Sequence, residues 1–424
     1  MLNEDPPRIA VVSPFLDKQH GTERAASEQV ERLARDYGYE VHLYCQRVED
    51  VGGVEEYRGR GGAAGEPERS PGRIWWHRVS EAPGPHVGKF LWWMRANRRQ
   101  RVRDGKEYGL KYDLVYSPGI NCRDADAILI HVVFAELVTR IEKELELEKN
   151  PAGSWPRVLH RRIYYRLVRG LEKKIYPDER VTLGAVSGLT AREVQRRFGR
   201  GDVRVIPNGV DTRTFNPEER QRRRAESRRQ LRLEERDFVL LLLGNGWKNK
   251  GLDCLLGAAA RCPDLSLVML VVGSDDRRPY QPMIEHLRLG ERVKFLDPSA
   301  DVMQYYAAAD VYAGPSLYDT FGLPVVEAMA CGLPVVTSAT TGTAERITDG
   351  EDGFVLRDAR NQEELAGVIR RLFAPGELRS QVGERAARKA RQFGWEQNAQ
   401  QTHELLQEAL RRKRTGAGVG AVRS

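Results

Sequence analysis

The chain has 424 residues, and its 68 Lys and Arg against 60 Asp and Glu give a formal charge of +8. At about 150 residues per domain, this length predicts two or three domains, and a hydrophobic fraction of 41% suffices for buried cores. The apolar runs are too short to cross a bilayer. Five cysteines without a CxxC pair argue against a disulfide framework or a zinc site. We therefore expect a water-soluble, cytoplasmic protein.

In the first half, short β-branched runs alternate with amphipathic segments, which predicts a parallel α/β arrangement. A predicted helix over residues 23–37 connects the first two strands. The Gly-rich residues 51–73 predict a surface loop. The predicted strands are residues 8–13, 40–44, 74–79, 114–116, 127–133, 181–187 and 203–206.

The second half repeats this alternation after a turn-rich connector at residues 207–211. The Arg-rich residues 218–237 hold nearly as many acids as bases, which predicts a solvated helix. The predicted strands are residues 238–243, 267–272, 292–295, 311–313 and 334–337. Two doubly wound, Rossmann-like domains that face a cleft would follow. We expect an acceptor-side domain at 1–206, a donor domain at 207–388, a helix at 389–412 that returns to the first domain, and a disordered tail at 413–424.

Residues 314–347 contain the most informative motif. Asp319 and Glu327 flank the sequence Phe321-Gly322-Leu323, and the Pro that follows suits the first turn of a helix. The free amides and positive dipole end of that helix would face an anion or sugar hydroxyls. Two carboxylates so placed suit hydrogen bonds to sugar and ribose hydroxyls. The alternative is an ordinary helix start whose acids complement the dipole.

This motif resembles the signature of retaining glycosyltransferases of family 4, also called group 1, which have the GT-B fold. The family has Glu, seven residues and Glu, with Phe-Gly-Leu between them; here Asp319 stands at the first position and the rest is kept. The resemblance implies that Asp319 lies by the donor sugar as a catalytic group. It implies that Glu327 binds the ribose of the nucleotide, and that Phe321, Gly322 and Leu323 border the donor.

Three further segments resemble the same family. Residues 241–252 (LLLGNGWKNKGL) resemble its donor-phosphate loop, in which Lys250 matches a catalytic lysine suited to a diphosphate. Lys248 either supplies a second positive charge or is an exposed loop lysine. Gly21 matches the glycine loop near the donor phosphates. His131 lies late in the predicted strand at 127–133, where a histidine is often a core residue; the resemblance implies a catalytic position near the reacting carbon.

The resemblance implies a hexosyltransferase-type enzyme that uses a nucleoside-diphosphate sugar, with retention by front-face attack, and with no metal and no cofactor. The acceptor would be a glycan or lipid-linked hydroxyl of the cell envelope. A nucleotide-sugar epimerase of similar fold remains an alternative, as does a non-catalytic membrane or nucleic-acid binding protein. No nucleic-acid motif is present, so we expect no nucleic-acid partner.

The positive charge is concentrated in residues 89–106 and 157–174, each with seven Lys or Arg and one acid. In the second segment, helical spacing places apolar residues on one face, which we expect to pack on the sheet: Leu159, Ile163, Leu167 and Leu171. It leaves a basic stripe outside: Arg162, Arg166, Arg169 and Lys173. Trp92 and Trp93 beside an Arg cluster fit a membrane interface or a partly buried helix at the acceptor cleft. We expect peripheral contact with an anionic membrane on its inner face.

Overall fold

A computed structural model describes residues 6–18, 21–58, 68–141 and 155–420, with side chains as far as residue 415. The chain divides into two compact units. The first comprises Met1–Pro207 with Asn398–Ser424, and the second comprises Asn208–Gln397. Each unit contains its own parallel sheet. The predicted α/β class is therefore confirmed.

The first unit is built on eight parallel strands in the order β10-β9-β8-β7-β1-β3-β6-β5, beside a small β2-β4 pair. Ile9 of β1 is level with Val41 on one side and with Leu114 on the other. The strands are β1 (Arg8–Val12), β2 (Phe15–Leu16), β3 (Glu40–Cys45), β4 (Arg47–Val48), β5 (Val54–Glu56), β6 (Ile74–Arg78), β7 (Leu114–Pro118), β8 (Ala127–Ile130), β9 (Thr182–Ala185) and β10 (Arg204–Val205).

Helices cover both faces of this sheet, as the fully buried runs of β1, β3 and β8 require. They are α1 (Gly21–Tyr37), α2 (His86–Tyr108), α3 (Phe134–Arg140), α4 (Trp155–Ile175) and α5 (Gly188–Phe198). The predicted loop at 51–73 differs from expectation, because Val54–Glu56 pairs with β6 as the edge strand β5. Residues 59–67 of that loop lie outside the described residues.

A buried chain of polar contacts joins α2 to the sheet. Nδ1 of His42 lies 2.7 Å from Nε2 of His77, and Nδ1 of His77 lies 2.7 Å from Oδ2 of Asp104 on α2. The Tyr44 hydroxyl donates to the same Asp104 oxygen over 2.9 Å. Because these groups are buried together, each needs the others as hydrogen-bond partners. The network therefore fixes α2 on the sheet.

The last helix of the chain, α13 (Trp395–Gly420), belongs to the first unit from Asn398 onward. The Asn398 side chain donates to the carbonyl of Pro207 over 2.7 Å and accepts from Gln29 over 3.0 Å. The helix continues past Arg412, in contrast to the expected disordered tail from residue 413. Lys413 forms an ion pair with Asp126 at 2.9 Å, which supports the added turn. Residues 421–424 lie outside the described residues.

The second unit contains six parallel strands in the order β13-β12-β11-β14-β15-β16, with Leu240 level with Met269 and Val311. Its strands are β11 (Phe238–Leu243), β12 (Leu267–Val272), β13 (Val293–Leu296), β14 (Val311–Ala313), β15 (Val335–Ser338) and β16 (Phe354–Leu356). Its helices are α6 (Pro217–Gln230), α7 (Leu252–Ala260), α8 (Gln281–His286), α9 (Met303–Ala308), α10 (Leu323–Ala330), α11 (Gln362–Phe373) and α12 (Leu378–Ala390).

Helix α6 is less solvated than its composition predicts. Three of its arginines donate to carbonyls at the C-terminal end of α9: Arg220 and Arg224 to Ala309, and Arg228 to the residue before it. Arg224 also pairs with Asp310 at 2.7 Å. The last carbonyls of a helix lack intrahelical donors, so cationic side chains there satisfy them and complement the dipole. The expectation of a fully solvated helix is therefore wrong for this inner side.

Candidate functional site

The second sheet changes its direction of growth between β11 and β14. The chain adds β12 and β13 on one side of β11 and then places β14, β15 and β16 on the other side. In doubly wound sheets, ligands bind beyond the carboxyl ends of the strands at such a switch point. The loop after β11 supplies Lys250 and the loop after β14 supplies Asp319. The sheet topology therefore places these two predicted residues at the preferred ligand position.

The loop after β11 is a tight turn that leads into α7. The Lys250 amide donates to the carbonyl of Gly246 over 2.9 Å, and the Leu252 amide donates to that of Trp247 over 3.0 Å. Gly251 has φ of +84°, and a Cβ there would lie 2.2 Å from the carbonyl oxygen of Pro315. Glycine is therefore required at position 251, both for this backbone conformation and for the close approach of the next loop.

Two further hydrogen bonds join this turn to the loop after β14. The Leu317 amide donates to the carbonyl of Asn249 over 2.7 Å, and the Asn249 side chain donates to the carbonyl of Tyr318 over 2.7 Å. Across this junction, Nζ of Lys250 lies 2.5 Å from Oδ2 of Asp319, and both side chains are largely buried. An ammonium has three donors, so the ion pair leaves donors for a phosphate oxygen.

The segment between Asp319 and α10 positions the start of that helix. Oδ1 of Asp319 accepts the amide of Phe321 over 3.2 Å, and the Phe321 carbonyl accepts from the Thr343 amide over 2.9 Å. The Phe321 ring is buried beside Phe393. Gly322 has φ of +89° as the N-cap, and Leu323 begins the helix. The first amides of a helix have no intrahelical acceptor and form an anion-binding end.

Glu327 lies one turn inside α10 and is buried. Its Oε2 accepts from the Tyr306 hydroxyl of α9 over 2.7 Å. Burial, and then the adjacent Glu327 carboxylate, raise the pKa of Tyr306 well above its ordinary value, so the phenol remains a donor. Tyr306 therefore fixes the carboxylate for which the family resemblance implies a contact with ribose.

Other members of the predicted donor set differ in their surroundings. Lys248 is exposed in the turn after β11, whereas its neighbour Trp247 is buried against Tyr280 and Phe295. Lys248 therefore lies in the predicted loop, with an exposed side chain. Within the described residues, no group of three His, Cys, Asp or Glu side chains has the arrangement of a metal site.

The first unit holds Gly21 and His131 at the carboxyl ends of its strands. Gly21 begins α1, and His131 directly follows β8. His131 is buried, and its Nε2 has no hydrogen-bond partner among the described residues. Burial lowers the pKa of His131 to about 4, so its imidazole is neutral at neutral pH. An unpartnered buried nitrogen is costly in a core, which makes His131 a candidate for ligand contact.

Glu172 of α4 positions the backbone that follows His131. Its two carboxylate oxygens accept the amides of Phe134 and Ala135 over 2.6 and 2.8 Å, at the start of α3. Burial raises the pKa of Glu172 to about 7 although these two hydrogen bonds act in the opposite direction. No local pattern in the sequence signals this contact, because Glu172 is far from His131 along the chain.

The predicted membrane or acceptor surface is only partly exposed. Trp93 is 3% exposed and donates to the carbonyl of Asn121 over 2.9 Å, so it is a core residue, which corrects its prediction as a surface anchor. Trp92 is 40% exposed. On α4, Arg162, Arg166 and Lys173 are exposed, whereas Arg169 is half-buried.

The apolar face that was expected to pack on the sheet also differs. Leu171 is buried, but Leu159 and Ile163 are 51% and 45% exposed. The side chains of Leu159 and Ile163 therefore form an exposed apolar side on the first half of α4. That part of the packing prediction is therefore wrong.

Sequence reasoning missed three residues of the second-unit site. Asn249 connects the two loops, and Tyr306 holds Glu327 across 21 residues of sequence. The Thr343 hydroxyl is buried, lies against Gly322 and has no hydrogen-bond partner among the described residues. Each contact depends on the order of the strands, and no local spacing pattern signals it.

Two family models match the chain, one in each unit. The model of Glycosyltransferase Family 4 matches residues 20–214, and the model of Glycosyl transferases group 1 matches residues 223–389. The second match contains the Lys250–Asp319 pair and Glu327. The chain therefore matches the group 1 glycosyl transferases over residues 223–389, where the motif at 314–347 lies.

Named relatives and solved structures agree with this assignment. The D-inositol 3-phosphate glycosyltransferase of Corynebacterium jeikeium (strain K411) is 32% identical over 49% of this chain and 52% of its own length. The protein of the same name from Salinispora tropica is 35% identical over 50% and 47%. The chain thus spans about half the length of the curated relatives it matches.

The solved structures share the fold at lower identity. WaaG, a glycosyltransferase involved in lipopolysaccharide biosynthesis, is 22% identical, with a TM-score of 0.67 over 90% of this chain and 95% of that chain. HepE of Anabaena in complex with UDP-glucose is 22% identical, with a TM-score of 0.66 over 95% and 100%. These similarities confirm the predicted GT-B fold.

Proposed function

We propose that this protein transfers a hexosyl group from a nucleoside-diphosphate sugar to an acceptor hydroxyl. The observation that carries the proposal is the Lys250–Asp319 pair at the switch point of the second sheet, 2.5 Å apart, beside the N-terminal end of α10. A lysine and the free amides of a helix start together form an anion site suited to a diphosphate. The structure of HepE in complex with UDP-glucose supports a donor of this class.

Under this proposal, each residue of the second-unit site binds a particular part of the sugar nucleotide. Lys250 and the first amides of α10 would stabilise charge that develops on the leaving diphosphate. Glu327, fixed by Tyr306, would accept hydrogen bonds from the ribose hydroxyls. Asp319 would hold Lys250 and contact the sugar, and the buried Thr343 hydroxyl would supply another hydrogen bond near Gly322.

Retention without a metal is part of the proposal. A double-displacement mechanism needs a carboxylate nucleophile within reach of the anomeric carbon. Asp319 is engaged with Lys250 and with the Phe321 amide, and Glu327 is buried against Tyr306, so each has a structural partner. Front-face attack, with a departing phosphate oxygen as the base, uses neither carboxylate as a nucleophile. Neutral His131 would contact the sugar or the entering hydroxyl.

The acceptor is proposed to be a glycan or a lipid-linked hydroxyl of the cell envelope. WaaG is a glycosyltransferase involved in lipopolysaccharide biosynthesis, and the curated relatives are named for an inositol phosphate. Both names are compatible with anionic acceptors. The first unit carries a groove of about 610 Å³ lined by Arg95, Arg98, Arg99 and Arg123, which suits an anionic acceptor. Peripheral membrane contact would bring a lipid-linked acceptor to the protein.

The test is incubation of the full chain with UDP-, GDP-, ADP- and dTDP-sugars, with and without EDTA and acceptor extracts. We expect one donor to be consumed in the presence of acceptor, in EDTA as well, with an α-linked product from an α-donor by NMR. Conversion of the free donor to its epimer without acceptor would favour the epimerase alternative. Binding of no sugar nucleotide would contradict both enzymes.

A further inference from the structure

One face of α4 combines exposed apolar and cationic side chains. Trp155, Leu159 and Ile163 follow one another at intervals of four residues and are 46%, 51% and 45% exposed. Side chains at this spacing lie along one side of a helix. Arg162 and Arg166 are exposed and lie within the same stripe on a helical projection. We call these five residues the α4 face.

The rest of α4 is held firmly by the first unit. The Tyr164 ring packs on His86 and Phe90 of α2, with ring centroids 4.6 and 5.4 Å apart, and His160 accepts the amide of Val87 over 3.2 Å. In the turns of α4 that follow Tyr164, Val168 and Leu171 are also buried. These contacts account for the inner side of α4 and leave the α4 face pointing away from the unit that holds it.

The charge on the outer side of α4 is of one sign. Lys173 and Lys174 extend the exposed cations toward the C-terminus. Glu172 is the acid of this helix, and it is buried with its oxygens on the amides of α3. Exposed cations without an exposed acid attract an anionic surface. Apolar residues between them would at the same time favour removal from water.

We propose that the α4 face docks on an anionic lipid bilayer, with Trp155, Leu159 and Ile163 in the interface and Arg162 and Arg166 at the lipid phosphates. A helix of this composition lies in the plane of the membrane and does not span it. Indeed, no helix among the described residues has the length and apolar content of a membrane span. Tryptophan favours the headgroup level.

Charge argues for lipid over a second copy of this chain. A symmetric dimer through the α4 face would place the same cations of both copies against each other, which is unfavourable. A bilayer that contains acidic lipids supplies the opposite charge over the whole length of the helix. The inference serves the proposed function by bringing a lipid-linked acceptor near, but the docking itself requires neither donor nor acceptor.

The experiment is flotation of the full chain with vesicles of phosphatidylcholine alone or with 30 mol% phosphatidylglycerol (about one acidic lipid in three). We expect binding to the acidic vesicles only. Arg162→Gln with Arg166→Gln should lower the partition constant about 30-fold, at about 1 kcal/mol per cation near an anionic surface. Arg357→Gln with Arg360→Gln, an exposed pair in the second unit, makes the same change in net charge and should leave binding within about twofold.

The apolar half has its own variant, Leu159→Gln with Ile163→Gln, which should weaken binding about tenfold or more because two apolar side chains that would enter the bilayer interface become polar. Phe15→Gln, at a residue 37% exposed on β2 of the first unit, is the control. Because all of these residues are exposed, each variant should keep the circular dichroism spectrum and melting temperature of the parent.

Two results would overturn the proposal. They are absence of binding to acidic vesicles, and a loss of binding in the second-unit control equal to that in Arg162→Gln with Arg166→Gln. Sugar-nucleotide binding, measured on the same samples, would separately show whether the proposed function fails.

Discussion

Tyr306 sets the position of Glu327 at the scale of single residues. The phenol and the carboxylate are both buried and lie 2.7 Å apart, so neither can turn away without losing its partner. A hydrogen bond to a charged group contributes about 1.5 to 3 kcal/mol. Tyr306 therefore holds the carboxylate of Glu327, which we assign to the ribose, in place. Tyr306 itself has no direct role in the proposed chemistry.

Tyr306→Phe should weaken binding of the sugar nucleotide about tenfold, because Glu327 loses the donor that orients it. The matched control is Tyr305→Phe in the same helix, whose hydroxyl donates to the carbonyl of Asp297 over 2.7 Å and not to Glu327. Tyr306→Phe should lose about 1.5 to 3 kcal/mol of unfolding free energy and Tyr305→Phe about 1 kcal/mol, but only the first should lose affinity. Equal affinities in a calorimetric titration would remove the positioning role of Tyr306.

His131 gives a prediction about pH. Its folded pKa, lowered by burial to about 4, lies below the ordinary value of 6.5, so the unfolded chain binds the proton first as pH falls. The contribution of His131 to stability is complete above pH 6.5 and is lost between pH 6.5 and 4. Between pH 7 and pH 5 this loss amounts to about 2 kcal/mol.

The check is a comparison of urea unfolding for the parent and His131→Gln at the two pH values. The parent should lose more stability than the variant as the pH falls from 7 to 5. An imidazole NMR resonance of His131 should remain that of the neutral ring down to about pH 5. A midpoint near 6.5 for that resonance would show that His131 is not desolvated and would contradict the buried position.

At the scale of elements, the site depends on how closely the loops after β11 and β14 approach. Gly251 and Gly246 both have positive φ, +84° and +75°, in the same turn. A Cβ at Gly251 would meet the carbonyl oxygen of Pro315 at 2.2 Å, whereas the nearest atom to a Cβ at Gly246 is 3.9 Å away. A substitution of Gly246 therefore introduces backbone strain alone, whereas a substitution of Gly251 introduces the same strain and also disrupts the contact between the two loops.

Gly251→Ala should push the two loops apart and displace Lys250 from Asp319, with a loss of sugar-nucleotide binding of at least about 30-fold, or about 2 kcal/mol. Gly246→Ala should lower the free energy of unfolding by about 1 kcal/mol, because alanine disfavours the left-handed backbone conformation. It should keep most of the affinity for the sugar nucleotide. Thermal unfolding and titration of both variants provide the measurement. Similar affinities for the two would contradict the importance of the loop contact.

Elements and motifs were predictable to different degrees from the sequence. Strands β11 and β12 follow from continuous apolar runs, and the start of α10 follows from a Gly and a Pro, because these signals are local. The helical period of α4 correctly groups Leu159 with Ile163. The helical periodicity does not indicate which side of α4 is covered by its neighbours, because this depends on the positions of α2 and α3. For the same reason the inner arginines of α6 were not foreseen, and the choice between a membrane interface and a partly buried helix stayed open for Trp93.

At the scale of the whole molecule, the charge of +8 has several distinct structural uses. Lys250 is paired within the second-unit site, and Arg224 and Arg228 satisfy Asp310 and the end of α9. Exposed cations remain on α4 and along α2 in the first unit. Net charge therefore predicts an anionic partner only after the cations used inside the fold are separated from those at the surface.

Our central claim is that the second unit binds a sugar nucleotide through Lys250. Isothermal titration of the full chain with a panel of sugar nucleotides tests it most directly, with Lys250→Met as the variant and Lys248→Met as its neighbour in the turn. We predict one-to-one binding of a sugar nucleotide by the parent, and a 10- to 100-fold loss in Lys250→Met, corresponding to about 1.5 to 3 kcal/mol for a charge-assisted contact. The Lys248→Met affinity will decide whether that residue contributes a second charge. Binding of no sugar nucleotide, or equal affinity of the parent and Lys250→Met, would contradict the claim.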